Sequence, residues 1–214
     1  LPPKPSVNPD RVDPWADAVA HLRKCDSRWC PVIDRIGPCR LRPKPDRFGI
    51  LVRAIVGQQI SSKAATSINR RLLQGQGAHR HRAETLLALG VEGIRSAGLS
   101  GVKASYVLHL SEAVATKRLV LSRIGRLDDS EIMAQLTAIR GIGPWTAEMF
   151  LIFALNRPDV LSVGDLGVRV GIRDHYGLED LPSPRRCVEL AEPWRPFRSV
   201  AMWYLWRTID TPSP

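Results

Sequence analysis

The sequence predicts an all-α protein on three observations. Apolar residues recur at i, i+3 and i+4 through most of the chain. Helix starts are written as Ser, Asp or Gly-Pro signals, and no stretch alternates apolar and polar residues over strand length. There is no internal repeat. At 214 residues the chain is long enough for one large domain or a two-lobed one with a real core.

Each helix has its own reason. Residues 1 to 10 form a proline-rich arm, expected to be flexible. From Pro14, the residues Trp15, Ala18, Val19 and Leu22 repeat at helical spacing and give a first helix. Four prolines between Cys30 and Pro45 restrict that stretch to a short helix and a loop. Asp46 caps an amphipathic helix marked by Phe48, Leu51, Val52, Ile55 and Val56. Ser61 or Ser62 starts the next, Lys63 to Leu73. A loop at Gly75-Gln76-Gly77 precedes a short helix from Glu84 to Leu89. The break at Leu99-Ser100-Gly101-Val102 leads into a helix from Lys103 to about Thr116. Asp129 to Ala138 is helical, with Ile132, Met133 and Leu136 on one side. Pro144 opens another helix, and a short one follows Asp165 to about Tyr176. Ser183-Pro184 is a cap followed by a first-turn proline. Trp194-Arg195-Pro196 opens the last helix, to about Arg207.

Between the helices that end at Ala138 and begin at Pro144 lies Ile139-Arg140-Gly141-Ile142-Gly143. Two glycines around one apolar residue make a tight turn, and the helix start behind them presents bare N–H groups suited to a phosphate. A lone carboxylate, Asp165, follows 22 residues after Gly143. This arrangement resembles the helix-hairpin-helix DNA glycosylase superfamily. Phe48 to Ser61, with its Gly57-Gln58-Gln59-Ile60-Ser61 turn, is similar to the segment that opens the glycosylase core in the alkylpurine branch. Gly98-Leu99-Ser100 with Lys103 and Tyr106, and Trp194 to Ser199 with Trp206, resemble that branch too. The resemblance spans roughly residues 11 to 208 and is to the 3-methyladenine glycosylase II type. Fewer than fifty residues precede Phe48, as in a compact member without the mixed α/β domain of some bacterial relatives.

The resemblance implies a two-lobed bundle with the active-site cleft between its lobes. Lobe one covers about 46–140, and lobe two the N-terminal helix plus about 144–208, in a single domain of residues 11–208 with a tail at 209–214. It implies hydrolytic release of alkylated purines such as 3-methyladenine or 7-methylguanine from double-stranded DNA, leaving an abasic site. Asp165 would stabilise an oxocarbenium-like sugar and orient the attacking water; read by itself it is a helix cap, and the hairpin upstream is what favours the catalytic role. Trp145 stands where strand-cleaving members carry a Schiff-base lysine, which implies a monofunctional enzyme. With Trp206, and more weakly Trp203, it would line the base pocket by stacking on an electron-poor base, against the alternative of core packing. Gly141, Ile142, Gly143 and Thr146 would form the DNA-binding hairpin. Carbonyls of Ile139 or Arg140, and of Ile142, would hold a monovalent Na+ or K+; no other cofactor is implied. The turn Gln58, Gln59, Ile60, Ser61 would supply the wedge that fills the gap left by an everted base, with Gln59 and Ser61 both open as the inserted residue. Lys103, Arg169 and Arg198 are candidate phosphate contacts. A non-catalytic, lesion-sensing DNA-binding protein built on the same hairpin is the rival reading.

Composition agrees with a polyanionic partner. The 31 Lys and Arg against 21 Asp and Glu give a net charge of +10, which steers association with DNA. No apolar run approaches the ~20 residues that span a bilayer, and no signal-peptide pattern begins the chain, so a cytoplasmic, nucleoid-associated monomer is expected. Cys25, Cys30 and Cys39 lack a C-x-x-C pair, and Cys187 stands alone where some relatives bind an iron–sulfur cluster through four cysteines, so no cluster is expected. His79, His81, His109 and His175 show no metal or triad spacing.

Overall fold

In the computed structural model, which describes residues 13–210, every regular element is helical. The proline-rich arm expected at 1–10 lies outside the described residues, as do 211–214. The chain divides into two compact units: one takes the chain up to Leu41 and again from Pro158, and the other is Arg42–Arg157.

The central unit contains α3 (Arg47–Gly57), α4 (Ser62–Gly75), α5 (Ala83–Ser96), α6 (Gly101–Ala115), α7 (Asp129–Thr137) and α8 (Pro144–Phe153). Asp46 caps α3 by accepting from Gly49 N at 3.1 Å, while its other oxygen pairs with Arg53; a cap of this kind contributes about 1 kcal/mol. Sequence periodicity gives α3 one apolar face, but Ile50, Leu51, Val52, Ala54, Ile55 and Val56 are all buried. The helix is enclosed because α4, α6 and α8 all pack on it. α8 is the other interior helix, with Ala147, Phe150, Leu151 and Ile152 buried. It packs on α3 and α7, so the boundary between units falls after Arg157 and not at 140–144.

The bounds of α5 and α6 differ from those expected for identifiable reasons. α5 runs on past Leu89 to Ser96 through a kink at Gly90, whose φ of 63° interrupts it. α6 starts at Gly101 because Ser100 supplies its cap, accepting from Lys103 N at 3.3 Å.

The outer unit contains α1 (Ala16–Cys25), α2 (Trp29–Ile36), α9 (Leu166–Tyr176), α10 (Pro184–Ala191) and α11 (Arg198–Asp210). Trp194 sits in a 3₁₀ turn, Glu192–Trp194, so the last helix begins four residues later than the sequence suggests and continues into the expected tail. Trp29, Trp194 and Tyr204 are fully buried and cluster with His175. α11 packs on α1, α2 and α9 and is the spine of this unit. No described helix is long and apolar enough to cross a membrane.

Candidate active site

The hairpin is built from α7, the loop 138–143 and α8. A capping box at Asp128 and Glu131 fixes the start of α7. Ile142 N donates to Ile139 O at 3.0 Å, closing a four-residue turn whose third residue, Gly141, has φ +94°. That position favours glycine. Sterics demand it as well, because a Cβ on Gly141 would stand 2.1 Å from Cγ of Tyr106. Gly143 has no such need: its φ is −91° and nothing lies within 4 Å of where its Cβ would be. Its lack of a side chain leaves the backbone at the α8 N-terminus open to an approaching group, and Pro144 occupies the first helical position as expected.

The side chains of two expected DNA contacts point elsewhere. Ile142 is buried and anchors the turn, while Thr146 is buried with its hydroxyl accepting from Gln58 Nε2 at 3.1 Å. The same amide donates to Gly141 O at 3.0 Å. Apolar burial and a buried polar group that needs a partner explain both placements. Apart from the exposed Arg140, what the hairpin offers outward is mostly backbone.

Gln58 thus acts as a strut from the end of α3 to the hairpin, not as an exposed wedge. The residues after it differ. Gln59 is exposed with φ 56°, Ile60 is 38% exposed, and Ser61 is exposed while its Oγ caps α4 by accepting from Ala64 N at 3.3 Å. Lys103, expected to touch phosphate, sends its ammonium to Val56 O at 2.9 Å and Gln58 O at 2.5 Å. It donates to carbonyls that the end of α3 leaves without a helical partner. Partial burial holds the Lys103 ammonium below the ordinary lysine pKa. Tyr106 lies one turn further along α6, so one face of that helix supports both the 58–61 turn and the hairpin.

In the outer unit, Asp165 is the N-cap of α9. Its Oδ1 accepts from Val168 N at 2.9 Å and from the indole N–H of Trp206 at 3.1 Å. The cap reading and the functional reading therefore describe one residue: capping orients the carboxylate. Asp165 and Trp206 are each half-buried, so the pair is neither sealed in the core nor loose in solvent. Gly167 makes the space they need, since a Cβ there would sit 3.0 Å from Asp165 Oδ1 and 3.3 Å from Cδ1 of Trp206. A fixed carboxylate beside an aromatic ring can stabilise a cation forming next to a planar base.

Residues 52–196 match the pattern of the HhH-GPD superfamily of base excision DNA repair proteins. The chain belongs to this superfamily. It is 34% identical to DNA-3-methyladenine glycosylase 1 of Schizosaccharomyces pombe over 89% of this chain and 86% of that protein. A solved structure of the Schizosaccharomyces pombe 3-methyladenine DNA glycosylase in complex with abasic DNA superposes with a TM-score of 0.82. The identity there is 31%, covering 92% of this chain and 98% of the other. A DNA-3-methyladenine glycosidase from Bacillus halodurans gives a TM-score of 0.77 at 37% identity, covering 92% of this chain and 90% of the other.

Within this HhH-GPD chain the remaining expected contacts separate. Trp145, half-buried, is the second residue of α8. Trp203 is 7% exposed, with Tyr204 edge-on at 5.0 Å and the Arg207 guanidinium 5.3 Å from its ring. It packs in the interior of the outer unit. Arg169 donates to Pro182 O at 3.0 Å, and Arg198 donates to Asp159 at 2.6 Å. Both expected phosphate contacts are engaged inside the protein. Carbonyls and carboxylates at helix and loop ends accept from basic side chains, and a basic residue in the sequence does not reveal which acceptor it meets. Sequence reasoning also missed the Gln58 strut and Asp159. Their partners lie 83 and 39 residues away, and only the adjacency of Gln58 to a predicted helix end hinted at a role.

Proposed function

We propose that the protein is a monofunctional DNA N-glycosylase that hydrolytically releases alkylated purines such as 3-methyladenine and 7-methylguanine from duplex DNA. The observation that carries this reading is Asp165, fixed by the α9 N-terminus and the Trp206 indole, in a chain of the HhH-GPD superfamily whose named relatives are 3-methyladenine glycosylases. An alkylated purine is cationic and leaves without strong acid assistance, so the demand falls on the sugar. As the C1′–N bond breaks, its electron pair passes to the base and positive charge develops on the deoxyribose. Asp165 stabilises that charge and orients a water. The water's oxygen bonds C1′ and its proton passes to the carboxylate or to solvent. Trp206, beside that carboxylate, offers an aromatic face to the base. Trp145 carries no amine, so no Schiff base forms and the strand stays intact.

The hairpin holds the DNA backbone through N–H groups at the start of α8, with Gly143 allowing close approach. Carbonyls of Ile139, Arg140 and Ile142 are hard oxygen donors that suit Na+ or K+. Ile139 O already accepts from Ile142 N and keeps one lone pair for an ion. Such an ion would add positive charge to the hairpin's phosphate-binding end. Of the two wedge candidates, Gln59 is exposed beyond the inward Gln58 and is the one inserted, with the exposed Ile60 beside it, whereas the Ser61 hydroxyl is engaged as the α4 cap. The protein acts as a cytoplasmic monomer on nucleoid DNA.

The test is incubation with methylated duplex DNA followed by hot alkali, which breaks the strand at abasic sites. Wild type yields breaks, and Asp165→Asn yields none while retaining DNA binding. Near-normal release by that variant overturns the assignment. Binding without release by wild type on any alkylated duplex turns the protein into a lesion-sensing binder.

A further inference from the structure

The segment that carries Asp165 is fastened along one face of α11. Ser199 N donates to Pro158 O at 2.9 Å, and Ser199 Oγ accepts from Val160 N at 2.9 Å. Ser162 N donates to Met202 Sδ at 3.2 Å, and Trp206 Nε1 donates to Asp165 Oδ1 at 3.1 Å. The helix partners 199, 202 and 206 follow the three-then-four spacing of a single helical face. Their partners 158–160, 162 and 165 advance in the same direction, so the segment runs alongside α11 from its N-terminus. Ser162, Ser199 and Met202 are fully buried, which keeps water from competing for these bonds.

The seam starts at an ionic knot. Asp159 Oδ1 accepts from Arg198 Nε at 2.6 Å and from Arg198 N at 3.3 Å. Its Oδ2 accepts from Arg195 Nη1 at 2.6 Å and Arg198 Nη2 at 3.1 Å. Arg198 Nη2 also donates to Asp159 O at 3.0 Å, tying the main chain of the segment to the helix. The Arg198 side chain is only 12% exposed and that of Asp159 23%. One carboxylate therefore caps the first turn of α11 and joins two arginines in charge-assisted bonds. The seam needs this definition at its start. A short irregular stretch, with turns at 158–159 and 163–164, has few bonds of its own, and slippage of one residue would carry Asp165 away from Trp206.

We propose that Asp159, gripped by Arg198 and Arg195, is a positioning residue that sets the register of the Pro158–Asp165 segment on α11 and so aims the Asp165 carboxylate. This gives the Arg195–Ser199 motif a function distinct from phosphate binding, and its catalytic consequence rests on the role of Asp165 proposed above. A misplacement on the order of 1 Å at a reacting group costs about 100-fold in rate, so a brace remote from the substrate governs turnover more than affinity.

The experiment compares Asp159→Asn, Arg198→Gln and Arg198→Lys with wild type. Single-turnover release from a duplex bearing one 7-methylguanine is expected to fall at least tenfold in Asp159→Asn and Arg198→Gln, and to recover in part in Arg198→Lys. Affinity for a duplex bearing a stable abasic analogue stays within twofold. The indole N–H proton of Trp206, followed by NMR, moves in Asp159→Asn in the direction it moves in Asp165→Asn. That resonance decides the structural claim even if wild type proves to release no base, an outcome that would overturn the glycosylase reading alone. Should Asp159→Asn fail to fold, Arg195→Gln removes one of the two arginines and carries the same readouts. An unmoved indole resonance with an unchanged rate makes Asp159 a fold brace and overturns the proposal. So does an equal loss of rate and DNA affinity, which would place the arginines on the DNA surface.

Discussion

The indole of Trp206 donates to the same Asp165 oxygen that caps α9, at 3.1 Å and 2.9 Å for the two bonds. One oxygen thus receives two donors from elements that cannot move independently, and the carboxylate plane is set before substrate arrives. Trp206→Phe keeps an aromatic face for the base and deletes the N–H. A hydrogen bond to a charged group is worth roughly 1.5–3 kcal/mol, so the single-turnover rate should fall by roughly tenfold or more with little change in DNA affinity. Equal losses in rate and affinity would instead make Trp206 a stacking surface only.

The two hairpin glycines are expected to respond differently. Gly141→Ala forces a side chain into a φ of +94° and against the Tyr106 ring. Backbone strain and overpacking together cost about 2–4 kcal/mol, visible as a clear drop in melting temperature. Gly143→Ala meets open space at an ordinary φ, so its melting temperature should stay near wild type while affinity for DNA falls. Unaltered DNA affinity in the second variant would remove Gly143 from the proposed phosphate clamp.

Gln58 offers a test of how the hairpin is held. Its amide bonds Gly141 O and Thr146 Oγ1, and Thr146 is buried. Gln58→Leu leaves those acceptors without their donor and should destabilise the fold by about 1–3 kcal/mol. Hydrogen exchange at the hairpin amides should rise more than at α5. A uniform rise across both regions would mean that Gln58 supports the whole unit and not the hairpin.

What the sequence revealed and what it hid divide along physical lines. Helix starts at Asp46, Ser61, Asp128, Pro144 and Ser183 depend on local chemistry, and each lies where a cap or a first-turn proline specifies. Asp165 and Trp206 could be named from motifs, but their mutual bond could not, because it spans 41 residues. Charged side chains were the least legible. Lys103, Arg169 and Arg198 carry the same formal charge whether they meet DNA or their own backbone, and the fold turns all three inward. The 194–198 stretch was placed in a helix because Arg195-Pro196 looks like a helix start, whereas α11 takes its first-turn anion from Asp159 and begins at Arg198.

Acid sensitivity follows from a buried histidine in the central unit. His81 is 3% exposed, with Nδ1 2.8 Å from Gln76 Nε2 and Nε2 2.7 Å from Asn69 Oδ1. Gln76 cannot turn its amide over, because its Oε1 already accepts from Arg82 N at 3.3 Å and from the Thr85 hydroxyl at 2.8 Å. Nδ1 must therefore accept and Nε2 must donate, which fixes the neutral tautomer. Burial first, then the nearby Arg53 charge, lower the His81 pKa from 6.5 to about 4, with Asp46 opposing. The unfolded chain thus takes up this proton more readily than the folded one. Stability is fully present above pH 6.5 and declines as pH falls toward 4, by about 2 kcal/mol between pH 7 and pH 5 from this residue. His175, also held low by burial, adds a loss of the same sign. Subtracting the pH dependence of a His81→Gln variant isolates the first contribution, and the variant's melting temperature should fall less between pH 7 and 5. The imidazole itself should show no NMR titration above pH 5. A midpoint near 6.5, or equal slopes for the two proteins, would show that the ring accepts its proton without cost.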